Sequence, residues 1–212
     1  MGQPVTTGSG GRHRAGRCDT GDAGTAGNEK LTAMTGAILL IGFAIEGFTV
    51  LEIHRFLVLH FVVGLLLIGP VLLKIGSTAY RFARYYTGAQ PYVRKGPPAP
   101  LLRVLGPLVI LTSVAVLGTG VMLAVTGPGR GPWLFLHKAS FILWSGVMTV
   151  HVLNYAPRLP RLLTARYQQA GRPATTVPGA PFRWLSLGAA VGVGIVVAAV
   201  TMHLSAKWGA NA

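Results

Sequence analysis

Five long apolar segments restrict the fold of this chain more than any other feature of its sequence. Each is at least about 20 residues long, which is the length an α-helix needs to cross the hydrocarbon core of a bilayer. Backbone N–H and C=O groups cannot stay unpaired in lipid, so such segments are expected to be helical. The chain is therefore predicted to be an all-α integral membrane helical bundle with five transmembrane helices. We place them at Leu31–Leu51, His54–Ile75, Leu102–Val125, Trp133–Leu153 and Trp184–Leu204.

Composition leaves little room for a soluble domain. Of the 212 residues, 51% are hydrophobic and only 11% are charged, whereas a soluble domain carries about 25% charged residues. Because Cys18 is the only cysteine, an intrachain disulfide is excluded. We expect a disordered cytoplasmic tail at 1–30, a four-helix core at 31–155, a basic cytoplasmic loop at 156–183, and a fifth transmembrane helix with a short outer tail at 184–212.

The net charge of +14 is distributed unevenly, and this asymmetry predicts a topology. Most of the 19 Lys and Arg residues lie before the first span, between the second and third, or between the fourth and fifth. These segments share one side of the membrane, and cytoplasmic loops carry the excess of Lys and Arg in membrane proteins. We therefore expect a cytoplasmic N-terminus, an outer C-terminus, contact with anionic lipid, and no nucleic-acid partner.

The first four spans resemble a duplicated two-helix hairpin. Shifting the sequence along itself by 77 positions brings polar residues of the first two spans onto polar residues of the next two. The matched pairs are His60 with His137, Lys74 with His151, and Thr35 with Thr112. The alternative is chance similarity between apolar helices, which share a narrow alphabet.

Two of these pairs are expected at matching depths in the membrane. His60 and His137 each lie one or two turns from the predicted outer end of their helix. Lys74 and His151 each follow 14 residues later, which is a rise of about 21 Å and a rotation that returns to within about 40° of the same face. Two parallel helices should thus present one nitrogen-bearing pair near the outer surface and one near the inner surface.

A b-type haem fits such an arrangement, because it needs one axial nitrogen from each of two facing helices. Neutral imidazole supplies that nitrogen, and ligation satisfies a ring that would otherwise be buried without a partner. His60 and His137 are therefore predicted to ligate an outer haem b.

The inner pair leaves two alternatives open. His151 has no histidine opposite it, but Lys74 has the right depth, and a neutral lysine amine can ligate iron. In that case a second, inner haem is held by His151 and Lys74. Alternatively, Lys74 stays charged, extends to the inner surface, and pairs with a haem propionate or a lipid phosphate.

Several other residues have both a functional and a structural interpretation. Arg81 and Arg84 are three residues apart on one helical face, where they could neutralise haem propionates or bind a quinone head group. They also suit the basic, aromatic-rich edge of a membrane. Glu46 is the deepest acid, and it either relays a proton, pairs with Lys138 or Arg55, or is protonated in a helix contact. Gly188 and Gly192 are predicted to let the fifth helix pack closely against the bundle or another subunit.

The sequence resembles the membrane cytochrome b-561 and cytochrome b/b6-like superfamily over residues 31–155. More narrowly, it is similar to membrane domains that accompany sulfite-oxidase-like molybdopterin oxidoreductases in actinobacteria, where a lysine also replaces the fourth histidine. The resemblance implies haem b, electron transfer, and the bacterial cytoplasmic membrane. The chain has no molybdopterin domain, so a redox partner must be separate or the activity must differ. The residues that carry the resemblance are Leu59, His60, Gly64, Pro70 and Lys74 on one helix, and His137 and His151 on another.

These observations favour an electron-transfer subunit over a stand-alone enzyme. Such a subunit would pass electrons between a quinone or protein donor and a partner oxidoreductase, and the sequence contains no catalytic triad, phosphate loop or metal-hydrolase motif. The alternative is a haem-free membrane assembly factor or small transporter, in which the histidines only make interhelical hydrogen bonds.

Overall fold

Helices account for all regular structure in the part of the chain that the computed structural model describes. That part comprises residues 20–96, 100–127, 129, 131–164, 166, 176–205 and 208. The helices are α1 (Thr20–Leu51), α2 (Ile53–Leu66), α3 (Ile68–Tyr86), α4 (Gln90–Arg94), α5 (Pro100–Thr126), α6 (Trp133–Tyr155), α7 (Leu159–Thr164) and α8 (Ala180–Thr201), with 3-10 turns at Ala156–Arg158 and Met202–Ser205. The predicted all-α fold is confirmed.

Five helical segments are long and apolar enough to cross a membrane, as predicted. They are Ala23–Leu51, Ile53–Tyr86, Leu102–Thr126, Trp133–Thr164 and Ala180–Ser205. The chain thus has the construction of a multi-pass membrane protein. We call the side of the bundle where α1 turns into α2 the Glu52 end, and the side where α3 stops the Tyr86 end.

The two predicted hairpins are present as packed pairs. α1 packs against both α2 and α3, α5 packs against α6, and α8 covers α2 and α3. The hairpins meet where Leu117 of α5 packs against a buried cluster of Leu39, Leu67 and Val71. α6 rests mainly on α5 and has no buried residue of its own. The side of α6 that faces the first hairpin is therefore only partly covered by protein.

The hydrogen-bonded ladder of the second span is interrupted where α2 ends and α3 begins, next to Pro70. Proline has no N–H to donate, so it leaves the Leu66 carbonyl without its usual i+4 donor. The bonds on either side, from Leu67 to Val63 and from Val71 to Leu67, are intact. α8 crosses at this point, where the backbone of Gly194 lies against the Leu66 carbonyl and that of Gly69 against the Ala190 carbonyl.

The packed face of α8 differs from the predicted one. Its buried stripe runs through Ala190, Gly194 and Ala198, whereas Gly188 and Gly192 have no atom within 4 Å of the position of a Cβ. The prediction that this glycine pair packs against the bundle was wrong. Both faces of α8 carry small residues. Only the face with Gly194 lies against the Leu66 carbonyl, so this is the face that packs closely on the bundle.

The predicted disordered tail is wrong for residues 20–30, which form the first turns of α1. Composition alone could not reveal their tertiary partners. The Asn28 amide donates to the main-chain oxygen of Ser77 at 3.1 Å, and Glu29 pairs with Arg81 at 3.3 Å and Lys95 at 2.6 Å. Packing of this kind stabilises helices whose intrinsic propensity is low. The rest of the predicted tail, including Cys18, lies outside the described residues.

The predicted loop at 156–183 also contains regular structure. It includes a 3-10 turn and α7, which packs on α1, and α8 begins at Ala180. Arg183, counted above as a loop residue, is buried in the first turn of α8. Its guanidinium donates to the main-chain oxygens of Val177 at 2.8 Å and Pro178 at 2.5 Å. A buried charge needs such partners, and here they fix the entry into α8.

Candidate functional site

The structure brings His60 of α2 and His137 of α6 together near the Glu52 end of the bundle. Their ring centroids are 6.3 Å apart and the ring planes are inclined at 68°. Both side chains are partly buried between the two hairpins, and 24% of the His60 side chain is exposed. One imidazole from each hairpin therefore faces the same space.

The hydrogen bonds of His60 determine which ring nitrogen is free. Its Nδ1 lies 3.0 Å from Glu46 Oε1 and 3.1 Å from Thr49 Oγ1, both on α1. The Thr49 hydroxyl already donates to the main-chain oxygen of Glu46 at 2.7 Å, so towards the ring its oxygen acts as an acceptor. Nδ1 therefore carries the proton, and the lone pair is on Nε2.

His137 is held in the same tautomer by different groups. Its Nδ1 lies 3.1 Å from the main-chain oxygen of Val116, which can only accept a hydrogen bond. Thr119 Oγ1 lies 3.3 Å from the same nitrogen and donates its own proton to the Ala115 carbonyl at 2.7 Å. As in the first hairpin, a threonine on the preceding helix contacts Nδ1 and leaves the lone pair on Nε2.

Two glycines make room for this pair. A Cβ at Gly120 would lie 3.1 Å from Cε1 of His137, so the ring rests on bare backbone of α5. A Cβ at Gly64 would lie 3.0 Å from Glu46 Oε1, so the carboxyl group fits beside His60 only because this position lacks a side chain. Larger residues at either position would displace an imidazole or its partner.

Aromatic rings form the next layer towards the centre of the bundle. Phe43 of α1 meets Trp144 of α6 edge-on, with centroids 4.7 Å apart. Trp144 follows His137 by seven residues, which places both on one face of α6. Its indole N–H donates to Ser113 Oγ at 3.0 Å. The histidine pair thus lies above an apolar layer whose one polar group is satisfied.

The pair predicted near the inner surface is arranged differently. Lys74 reaches α1, where its Nζ donates to the main-chain oxygen of Thr32 at 2.6 Å and fills the space beside Gly36. The His151 ring contacts Tyr155, with centroids 4.8 Å apart. No hydrogen bond joins the side chains of Lys74 and His151 among the contacts of the described residues. Ligation of an inner iron by this pair stays a prediction.

The arginines predicted to bind propionates or a quinone lie at the Tyr86 end. Arg81 forms an ion pair with Glu29, and Arg84 is exposed. Next to them, burial of Tyr92 in α4 raises the pKa of its phenol above the ordinary value. The ion pairs of Glu29 with Arg81 and Lys95 join α1 to α3 and to the end of α4. A role for Arg81 and Arg84 in ligand binding stays a prediction.

Within the described residues, no group of three or more His, Cys, Asp or Glu side chains is placed to hold a metal ion. This finding does not bear on a haem, which needs only two axial ligands from the protein. The remaining described histidines, His54 and His203, are exposed.

Sequence reasoning missed the threonines that fix both tautomers. Thr49 and Thr119 lie 11 and 18 residues before their histidines, so no single shift of the sequence aligns both pairs. The signal available was a threonine in the final turns of the helix before each histidine.

Comparison of the chain with family models, with curated proteins and with solved structures gives no match.

Proposed function

We propose that this chain is a membrane electron-transfer subunit that binds one b-type haem between His60 and His137. The observation that carries this proposal is the facing pair of imidazoles, whose Nδ1 atoms are both engaged. Each ring thus keeps its Nε2 lone pair available, which is the form that an axial ligand requires.

The residues present fit a bis-imidazole haem site. His60 and His137 would hold the iron of a haem through their Nε2 atoms, one from each hairpin, and their ring centroids are 6.3 Å apart. Gly64 leaves space for the Glu46 carboxyl group beside His60, Gly120 lets the His137 ring rest on the backbone of α5, and α6 has no buried residue. Hydrogen bonds to both Nδ1 atoms supply the outer shell that ligating histidines usually have.

When bound, a haem accepts and releases single electrons. The chain's own residues hold the two rings at one height and orient them through Glu46, Thr49, Thr119 and the Val116 carbonyl. Phe43 and Trp144 exclude water on the side of the bundle centre. Placing the site in a membrane bundle fixes its distance from a redox partner on either surface.

The distribution of basic residues orients the chain, and hence the histidine pair, in the membrane. They concentrate at the Tyr86 end, which by the positive-inside rule is cytoplasmic. The histidine pair then lies near the outer surface of the bacterial cytoplasmic membrane. We propose that a quinone or protein donor delivers electrons there and that a separate oxidoreductase takes them up, with a molybdopterin enzyme as the partner that the family resemblance implies.

The same contacts favour one haem per chain. Lys74 points to α1 and is hydrogen-bonded to Thr32 there, whereas the partner of an axial ligand should face its opposite helix. A second haem held by His151 and Lys74 remains the alternative. Haem content distinguishes the two, because two haems per chain that fall to one in His151→Ala would establish the inner site.

The haem-free alternative is favoured by one specific observation. His60 and His137 each make hydrogen bonds to the preceding helix of their hairpin, and such bonds stabilise helix pairs without any metal. An assembly factor or small transporter would use them in this way.

A difference spectrum of the purified full-length chain separates the two functions. Chain from haem-replete cells is expected to show a sharp α band in the reduced-minus-oxidised spectrum. The band should disappear in His60→Ala and in His137→Ala, and persist in the matched controls His54→Ala and His203→Ala, whose rings are exposed. A folded but colourless wild-type chain would refute the proposal.

A further inference from the structure

Glu46 is the one acidic side chain among the described residues that contacts a predicted haem ligand. Its Oε1 lies 3.0 Å from Nδ1 of His60, and 15% of its side chain is exposed. Its second oxygen, Oε2, is buried and has no hydrogen-bond partner in the described part of the chain. A buried carboxyl group with one idle oxygen is costly, so its position calls for a compensating role.

Gly64 leaves space for the Glu46 carboxyl group beside His60. Gly64 lies one turn after His60 on α2, so the ring and the bare backbone share one face. Glu46 Oε1 occupies the space that a Cβ at Gly64 would approach to 3.0 Å. An added Cβ at this position would require the carboxyl oxygen to move by a few tenths of an ångström.

The two predicted axial ligands therefore differ. Nδ1 of His60 has a carboxyl oxygen as acceptor, whereas Nδ1 of His137 has a main-chain carbonyl. In its ionised form a carboxylate accepts a stronger hydrogen bond than a main-chain carbonyl does, so it withdraws the Nδ1 proton further from the ring and makes Nε2 a stronger electron donor. A stronger donor stabilises oxidised iron more than reduced iron, and such hydrogen bonds are one of the ways a protein sets a haem potential.

We propose that Glu46 is a positioning residue that locks His60 in its ligating tautomer and lowers the reduction potential of the haem held by His60 and His137. This inference rests on the proposed function. It adds to that function a direction for the potential and a residue that sets it.

The test is a potentiometric titration of the α band in the purified full-length chain. Glu46→Gln keeps the shape of the side chain but offers an uncharged, weaker acceptor, and Glu46→Leu removes the carboxyl group and leaves only Thr49 Oγ1 beside Nδ1. The expected order of midpoint potentials is wild type, then Gln, then Leu, from lowest to highest. For Gln we expect about a tenfold change in the equilibrium between oxidised and reduced haem, which is 59 mV for one electron.

Two further variants separate the role of the carboxyl group from a general loss of structure. Glu52→Gln removes an exposed acid near the same end of the bundle and should leave the potential unchanged. Gly64→Ala leaves Glu46 and both histidines in the sequence but adds a Cβ that would move the carboxyl oxygen by a few tenths of an ångström, so it should raise the potential in the same direction as Glu46→Gln and by less. Gly64→Ala also serves if Glu46→Leu fails to fold.

The outcomes distinguish this inference from the proposed function. If the wild-type chain folds without haem, the proposed function fails. If it binds haem but the potentials of Glu46→Gln and Gly64→Ala equal that of Glu52→Gln, only the role of Glu46 is overturned. A potential that falls in Glu46→Gln would also overturn it.

Discussion

Replacing Gly194 with alanine should loosen α8 from the rest of the bundle. The added Cβ would meet the Leu66 carbonyl, and the clash is between two backbones. No change of side-chain rotamer can relieve it, so α8 must move away from α2. Overpacking of this kind costs about 1–3 kcal/mol.

Gly188→Ala is the matched control on the same helix. A Cβ there meets no atom within 4 Å. Alanine also loses less backbone conformational entropy than glycine when the helix forms, which stabilises the folded protein by about 0.5–1 kcal/mol. The two variants make the same chemical change six residues apart. Because the gain from replacing glycine inside a helix is common to both variants, we expect their free energies of unfolding to differ by about 1–3 kcal/mol, the cost of the clash.

Reversible unfolding in mixed micelles, followed by far-UV circular dichroism, measures this difference. Gly69→Ala should behave like Gly194→Ala, since its Cβ would meet the Ala190 carbonyl at the same crossing. The double variant should cost less than the sum of the single variants, because one displacement of α8 relieves both clashes. Equal stability of Gly194→Ala and Gly188→Ala would refute the crossing described above.

Three further predictions concern the site and its surroundings. Thr119→Val removes an acceptor from Nδ1 of His137 and should weaken haem retention by about tenfold, measured by transfer of haem to a scavenger protein; unchanged retention would contradict the role of Thr119. Glu29→Gln should lower stability by less than about 1 kcal/mol and make it less dependent on salt, because its ion pairs are partly exposed. The pKa of Tyr92 is raised by burial, so its contribution to stability is complete below pH of about 10 and is lost as pH rises through the folded-state pKa. Tyr92→Phe should therefore lose less stability than wild type in alkaline unfolding experiments, and identical profiles would contradict this.

Length and hydropathy were enough to predict the helical architecture, because lipid allows few other solutions. The positions of His60 and His137 followed from the repeat, since equal spacing along parallel helices fixes depth. The start of α1 could not be predicted from composition, because its stability depends on partners such as Ser77 and Arg81 that are distant in sequence.

The packed face of α8 illustrates a second limit. The helix carries two stripes of small residues, and only the three-dimensional position of the Leu66 carbonyl decides between Gly194 and Gly188. The hydrogen bonds to Nδ1 could not be predicted from the repeat either. The two hairpins differ in loop length, and Thr49 and Thr119 lie at different distances in sequence from their histidines.

Haem content of the purified wild-type chain tests the central claim most directly. The pyridine haemochrome assay on folded, monodisperse protein from haem-replete cells should give one haem b per chain, and none for a chain lacking either His60 or His137. A well-folded wild-type chain that contains no haem would contradict the account.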